Sequence, residues 1–282
     1  MKKLLIATDL SARSDRALER ALSLSRELDA KLTVLHVVDE DLPASLADAR
    51  KEIAEAVIQE HFDRQTTGSA QNVSVEIVFG RDYIDILRMS EKTEAELIIL
   101  GLHREDAFKD MFRGTTVERV IRTSNVPVLL VKERVSNPYQ RVIVGVDFSV
   151  YSRRAVEFAI KFLPSGEFHL VHAYGIPFKG YFYDRGSPGE VSKKYQMEFQ
   201  QMVGEELATF LASIEAKTSV LEPILEEGMP REVILQQVSR LTPDLLVVGT
   251  HGRTGVAHAL LGSVAEDLIM APPCDVLAVK AW

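Results

Sequence analysis

A single cysteine, Cys274, is all the thiol the chain carries. It cannot close an internal disulfide, and the seven histidines are scattered, with no pair at zinc-ligand spacing. Basic charge is also in deficit. Lys and Arg number 33 against 41 Asp and Glu, a formal net charge of −8, which argues against the usual basic nucleic-acid surface. A small anion is a different matter, because local amides can hold one whatever the net charge. Long apolar runs are missing too. The opening MKKLLIATDL has too few apolar residues before Thr8-Asp9 for a signal peptide, and no run approaches the roughly 20 apolar residues that cross a bilayer. The expectation is a cytoplasmic protein with neither a membrane nor a nucleic-acid partner. There is no Gly-x4-Gly-Lys-Ser/Thr loop and no Gly-x-Ser-x-Gly elbow, and the first strand runs into aspartate instead of a Gly-x-Gly-x-x-Gly turn. Those absences argue against P-loop, serine-hydrolase and nicotinamide-dehydrogenase chemistry.

What is present is one unit written twice. At 282 residues, 46% of them hydrophobic, the chain has material for about two domains. Lys3-Leu-Leu-Ile-Ala-Thr-Asp9-Leu-Ser11 returns as Arg141-Val-Ile-Val-Gly-Val-Asp147-Phe-Ser149. Leu32 to His36 returns as Phe168 to His172, Gly80 as Gly228, Ala95 to Gly101 as Pro243 to Gly249, and Pro127 to Lys132 as Asp275 to Lys280. The second copy is longer by twelve residues after its second strand, over Ala173 to Gly189. That stretch is dense in glycine, proline and aromatics and predicts a loop. Its Tyr174, Phe178, Tyr181, Phe182 and Tyr183 either cover core or form a lid or partner surface.

Each copy alternates strand and helix, which implies parallel strands with helices on both faces and a ligand crevice at the strands' carboxyl ends. The fold class is α/β: two tandem doubly wound five-stranded parallel-sheet domains, over residues 1–134 and 141–282, joined by a linker from Glu133 to Gln140. First helices with apolar faces at Ala17, Leu18, Ala21, Leu22 and Leu24, and at Ala155, Val156, Phe158, Ala159 and Phe162, fit that scheme.

The functional signal sits in Leu245 to Ile269. Four apolar residues predict a buried strand, Gly249, Gly252 and Gly255 strip side chains from the loop, and Gly262-Ser263 open a helix. The first amides of a helix lack intrahelical partners and stand at the positive end of its dipole, so this start is an anion site. His251 reads as loop composition, with a phosphate contact or an acid role as the alternative. Cys274 reads as a small buried hydrophobe.

The spacing Gly249-x2-Gly252-x9-Gly262-Ser263, inside a duplicated strand–helix frame, resembles the nucleotide-binding motif of the universal stress proteins. The resemblance covers nearly the whole chain and marks it as a tandem member of that family. It implies strand order 3-2-1-4-5 in each domain and an intramolecular pseudo-dimer whose last strands, Val128 to Lys132 and Val276 to Lys280, pair across the twofold. It also implies bound ATP, with Asp147 facing the nucleoside or an associated cation such as Mg2+. The backbone at Val171, His172 and Ala173 would border adenine, while Gly249, Gly252, Arg253, Gly262, Ser263 and Val264 would hold ribose and phosphates. The first copy departs from the motif: Gly101 and Gly114-Thr115 remain, but Arg104 stands where Gly252 does and Ala107 where Gly255 does. Arg104 either pairs with an anion or obstructs the ATP pose, which leaves Asp9, Gly101, Arg104, Gly114 and Thr115 a degenerate site. The resulting expectation is an ATP-binding stress sensor or regulator with its nucleotide in the second domain. The rivals are a slow ATP hydrolase or phosphotransferase and a chaperone-like interaction module. A protein partner and a further homodimer stay open.

Overall fold

The computed structural model describes residues 1–65, 72–102, 115–176, 190–215, 221–252 and 261–280. The first copy contains β1 (Lys3–Ala7), α1 (Ala12–Glu27), β2 (Lys31–Asp39), α2 (Ala44–Gln65), β3 (Val73–Gly80), α3 (Asp82–Lys92), β4 (Leu97–Gly101), α4 (Thr116–Thr123) and β5 (Val128–Val131). The second contains β6 (Arg141–Gly145), α5 (Val150–Phe162), β7 (Glu167–Tyr174), α6 (Glu190–Ala212), β8 (Leu221–Glu227), α7 (Pro230–Leu241), β9 (Leu245–Gly249), α8 (Ser263–Met270) and β10 (Asp275–Val279). The loop expected from Ala173 therefore starts later, since Ala173 and Tyr174 complete β7, paired with Glu226 and Glu227. Tyr174 packs near Phe199, at 6.2 Å between ring centroids. Phe178, Tyr181, Phe182 and Tyr183 lie outside the described residues.

Among the described residues ten strands form one sheet in the order β3-β2-β1-β4-β5-β10-β9-β6-β7-β8. Pairing is parallel within each copy, in the expected order 3-2-1-4-5. The copies meet at one antiparallel ladder, β5 with β10, where Leu129 faces Leu277. Two short apolar edges thus pair with each other, which removes both as templates for foreign strands.

Central strands buried on both faces explain the unbroken apolar runs: Leu97 to Leu100 and Leu245 to Val248 are all buried. Helices α1, α2, α5 and α6 cover one face through residues such as Leu18, Ile58, Val156 and Phe210. On the other face, α3, α4, α7 and α8 use Ile86, Val120, Ile234 and Leu268. The apolar faces predicted for α1 and α5 are buried, Phe158 only partly. Each core layer runs through both copies without a break, so the pseudo-dimer shares its hydrophobic stabilisation.

The junction is also polar, and this the sequence did not announce. Asp275, 1% exposed, accepts from the amides of Lys132 (2.8 Å) and Glu133 (3.1 Å) and from the Tyr139 hydroxyl (2.5 Å). Arg20 of α1 stands 3.7 Å from the same carboxylate, lies over the Tyr139 ring and donates to the Asn137 carbonyl. Glu133 to Gln140 is therefore a linker in sequence but part of the interface in space.

Candidate functional site

The second-domain crevice is assembled where β6, β7 and β9 end. Beyond β6, Val146 N–H donates to the Val171 carbonyl (2.9 Å), and the His172 ring Nδ1 bonds the Val146 carbonyl (2.8 Å). Phe148 then takes a left-handed backbone, φ 60°, and its ring stacks on His172 at 4.0 Å. The first copy repeats the device, with Leu10 at φ 61° and His36 Nδ1 on the Thr8 carbonyl at 2.8 Å. A bulky residue held at positive φ is costly, and the cost is tolerated where surrounding contacts fix the turn. Both histidines are thus held by a backbone carbonyl at the crevice.

Asp147 Oδ1 accepts from the Ser149 amide (3.0 Å) and hydroxyl (2.5 Å), while Ser149 itself caps α5 by accepting from Ser152 N–H (3.2 Å). The aspartate thus steadies the cap with one oxygen, and its other oxygen faces Gly252. A Cβ on Gly252 would stand 2.9 Å from Oδ2 of Asp147, so the glycine lets the loop lie against the carboxylate. Across the crevice, Thr250 N–H donates to the Val279 carbonyl (3.0 Å), and the Thr250 carbonyl accepts from Gly262 N–H (2.9 Å). That strap ties the end of β9 to the start of α8. The first intrahelical bond of α8 runs from Glu266 N–H to the Gly262 carbonyl (2.8 Å), so the amides of Ser263, Val264 and Ala265 precede the ladder. Ser263 and Val264 are exposed, Gly249, Gly252 and Gly262 half-buried. Asp147 thus lies against Gly252, and the Gly262 amide is tied to Thr250 at the end of β9, just before the helix start at Ser263. Arg253 and Gly255 lie outside the described residues.

His251 touches Thr250 Oγ1 through Nδ1 (2.9 Å) and faces the Tyr151 ring at 5.6 Å. Burial, with the Lys280 charge behind it, lowers its pKa from the ordinary histidine range. Burial pushes the Cys274 thiol up to about 12, as befits an inert buried hydrophobe. Among the described residues no group of three His, Cys, Asp or Glu side chains could hold a metal, and no helix is long and apolar enough to cross a membrane.

The first-domain crevice is an open cavity of 760 Å³ that brings Asp9, Gly101 and Thr115 together. Its character differs. Arg13 stands where the second copy has Tyr151, and Arg119 where it has Asp267. Asp9 is engaged by Ser11 (2.5 Å) and by Arg13 (3.3 Å). The Thr115 hydroxyl accepts from Glu118 N–H (3.2 Å), capping its own helix. Arg104, Ala107 and Gly114 lie outside the described residues.

Comparisons with known proteins agree with the duplicated fold. The family model described as "Universal stress protein family" matches twice, over residues 1–132 and 138–280. A universal stress protein E homolog of Haemophilus influenzae is 25% identical over 99% of this chain and 97% of its own length. A universal stress protein of Methanocaldococcus jannaschii is 29% identical over 51% of this chain and 84% of its own. Among solved structures, a universal stress protein from Archaeoglobus fulgidus superposes with a TM-score of 0.70 at 25% identity, covering 99% of this chain and 98% of that one.

Proposed function

The chain belongs to the universal stress protein family, and from that premise we propose that its second domain is an adenine-nucleotide site through which the protein acts as a stress regulator. ATP is the ligand the motif fits. Gly249, Gly252 and Gly262 leave room for phosphates against the backbone, and the amides of Ser263 and Val264 supply donors at the positive end of α8. Asp147 faces the nucleoside or a phosphate-bound Mg2+, and the backbone at Val171 to Ala173 borders the base.

The observation that carries this reading is the approach of Gly252 to Asp147. A side chain at that position would press on the carboxylate, and the first copy has Arg104 there. The first domain is then a partner fold in which ATP does not take the same pose. Isothermal titration tests the reading: one ATP per chain is expected, with binding abolished by Gly252→Arg at unchanged secondary structure. A purified chain that neither binds nor copurifies with an adenine nucleotide would defeat it. Product accumulating well beyond one equivalent per chain would replace regulation with catalysis.

A further inference from the structure

Helices α4 and α8 occupy the same place in the two copies, yet they are held differently. Helix α4 carries polar braces among its own residues. Thr115 caps its first turn, and Arg122 pairs with Glu118 one turn back at 2.7 Å. In α8 the matching positions are Ser263, which lies inside the helix with Gly262 as its N-cap, and Met270, which cannot pair with Glu266. With eight residues, about two turns, α8 is far too short to be stable alone.

Beyond its apolar packing through Ala265, Leu268 and Ile269, α8 is fastened from the other domain. Lys132 follows β5 of the first copy and is 2% exposed. Its Nζ donates to the carbonyls of Ile269 (2.7 Å), Pro272 (3.1 Å) and Met270 (3.4 Å). An ammonium group has three hydrogens to give, and this one gives them to the last turn of α8 and the residues after it. A cation there also complements the negative end of the helix dipole. The mirror contact is slighter: Lys280 Nζ donates to the carbonyl of Arg122 at 3.1 Å, with Lys280 half-buried. The end of α8 also reaches the first copy directly, for Met270 lines the first-domain crevice.

We propose that Lys132 of the first domain is a positioning residue for the phosphate site of the second, holding α8 by its carboxyl end so that the amides at its other end face the ligand. This rests on the nucleotide reading above. Side-chain capping at the start of α8 would compete with a phosphate for the same amides. Anchorage from the far end leaves them to the ligand, and the lysine that supplies it belongs to the copy whose own loop is degenerate. The first domain is then a working part of the second site.

The test is ATP titration of the full chain in wild type, Lys132→Met, Lys132→Arg and Lys280→Met. Lys132→Met is expected to raise Kd about tenfold or more, Lys132→Arg to restore much of that loss, and Lys280→Met to leave Kd within about twofold. An unchanged Kd in Lys132→Met, or an equal loss in Lys280→Met, overturns the inference. Should Lys132→Met fail to fold, amide exchange in the wild type decides. ATP is expected to protect α8 through Met270 and the first-domain amides of Lys132 and Glu133, and protection confined to the second domain's loop overturns it. Wild-type chain that does not bind ATP defeats the nucleotide reading itself and this inference with it. Binding with no effect of Lys132 defeats only the inference.

Discussion

Gly252 lies so close to Asp147 that a Cβ on the glycine would stand 2.9 Å from the carboxylate Oδ2. Contact at that distance displaces the carboxylate, since a side-chain end can rotate where the glycine's backbone cannot. Gly252→Ala is therefore expected to weaken ATP binding about tenfold, near 1.4 kcal/mol, while the unfolding midpoint in urea hardly moves because Asp147 is only half-buried. Titration and a urea curve on the same sample check both halves. A large loss of stability with intact affinity would show that the glycine serves the fold and not the ligand.

The glycines that end β4 and β9 look alike in sequence and differ in space. A Cβ on Gly101 would meet backbone atoms of α1, the Arg13 carbonyl oxygen at 2.6 Å and its carbon at 2.8 Å. Backbone cannot rotate away, so Gly101→Ala must push α1 off β4, at a cost of about 1–3 kcal/mol. On Gly249 the nearest atom is the His251 carbonyl oxygen at 3.4 Å, close to ordinary contact. Gly249→Ala is expected to cost under about 1 kcal/mol. Equal destabilisation of the two variants in urea would refute the difference.

The frame was legible because it is periodic and repeated. Apolar runs such as Leu245 to Val248 mark strands covered on both sides, and the duplication of Asp9, Gly101 and Thr115 as Asp147, Gly249 and Ser263 marks where strands end and a helix begins. The antiparallel junction came with the family resemblance. The buried polar group at that junction was not legible. Arg20, Lys132, Tyr139 and Asp275 come from four separate stretches, and three of them have no polar counterpart in the other copy, where Phe158 stands for Arg20 and Pro127 for Asp275. Repeats advertise what is shared, so an asymmetric contact hides in them. The one signal available was a charged residue abutting each end of an otherwise apolar last strand, Asp275 and Lys280 around Val276 to Val279. How the aspartates divide their work was equally hidden. Composition offers a cap or a ligand contact, whereas Asp147 braces the cap with one oxygen and turns the other to the loop.

Asp9 predicts a pH dependence. Burial alone would raise its pKa, but hydrogen bonds from the Ser11 hydroxyl, Ser14 and the Ser11 amide, with the charge of Arg13, outweigh it and hold the carboxyl below 3.8. The folded chain then binds that proton less tightly than the unfolded one does. The resulting stability is complete above pH 3.8 and is lost as pH falls through the lower folded value. Asp9→Asn is expected to flatten the acid limb of stability against pH between about pH 2 and 5. Urea midpoints measured across that range for both proteins check this, and an unchanged acid slope would count against it.

At the junction, Asp275 makes the opposite prediction. Burial is the largest influence on its carboxyl and raises its pKa, while the hydrogen bonds from Tyr139, Lys132 and Glu133 and the charge of Arg20 work the other way. Burial likewise lifts the Tyr139 hydroxyl well above 10, so the phenol is a donor at neutral pH. Tyr139→Phe removes one of the groups that make the buried carboxylate tolerable. The cost is expected to be about 1–3 kcal/mol at neutral pH, the range for a buried polar group deprived of its partner. It also raises the folded pKa of Asp275 further above its unfolded value. A carboxyl so raised loses stability as pH climbs from the unfolded toward the folded value, and regains it when protonated. The deficit of Tyr139→Phe relative to wild type is therefore expected to shrink as pH is lowered from 7 toward about 4, the ordinary carboxyl range. Urea denaturation of both chains at the two pH values measures it. A deficit that stays constant or grows on acidification would mean that Tyr139 contributes through packing against Arg20 alone and not through its bond to Asp275.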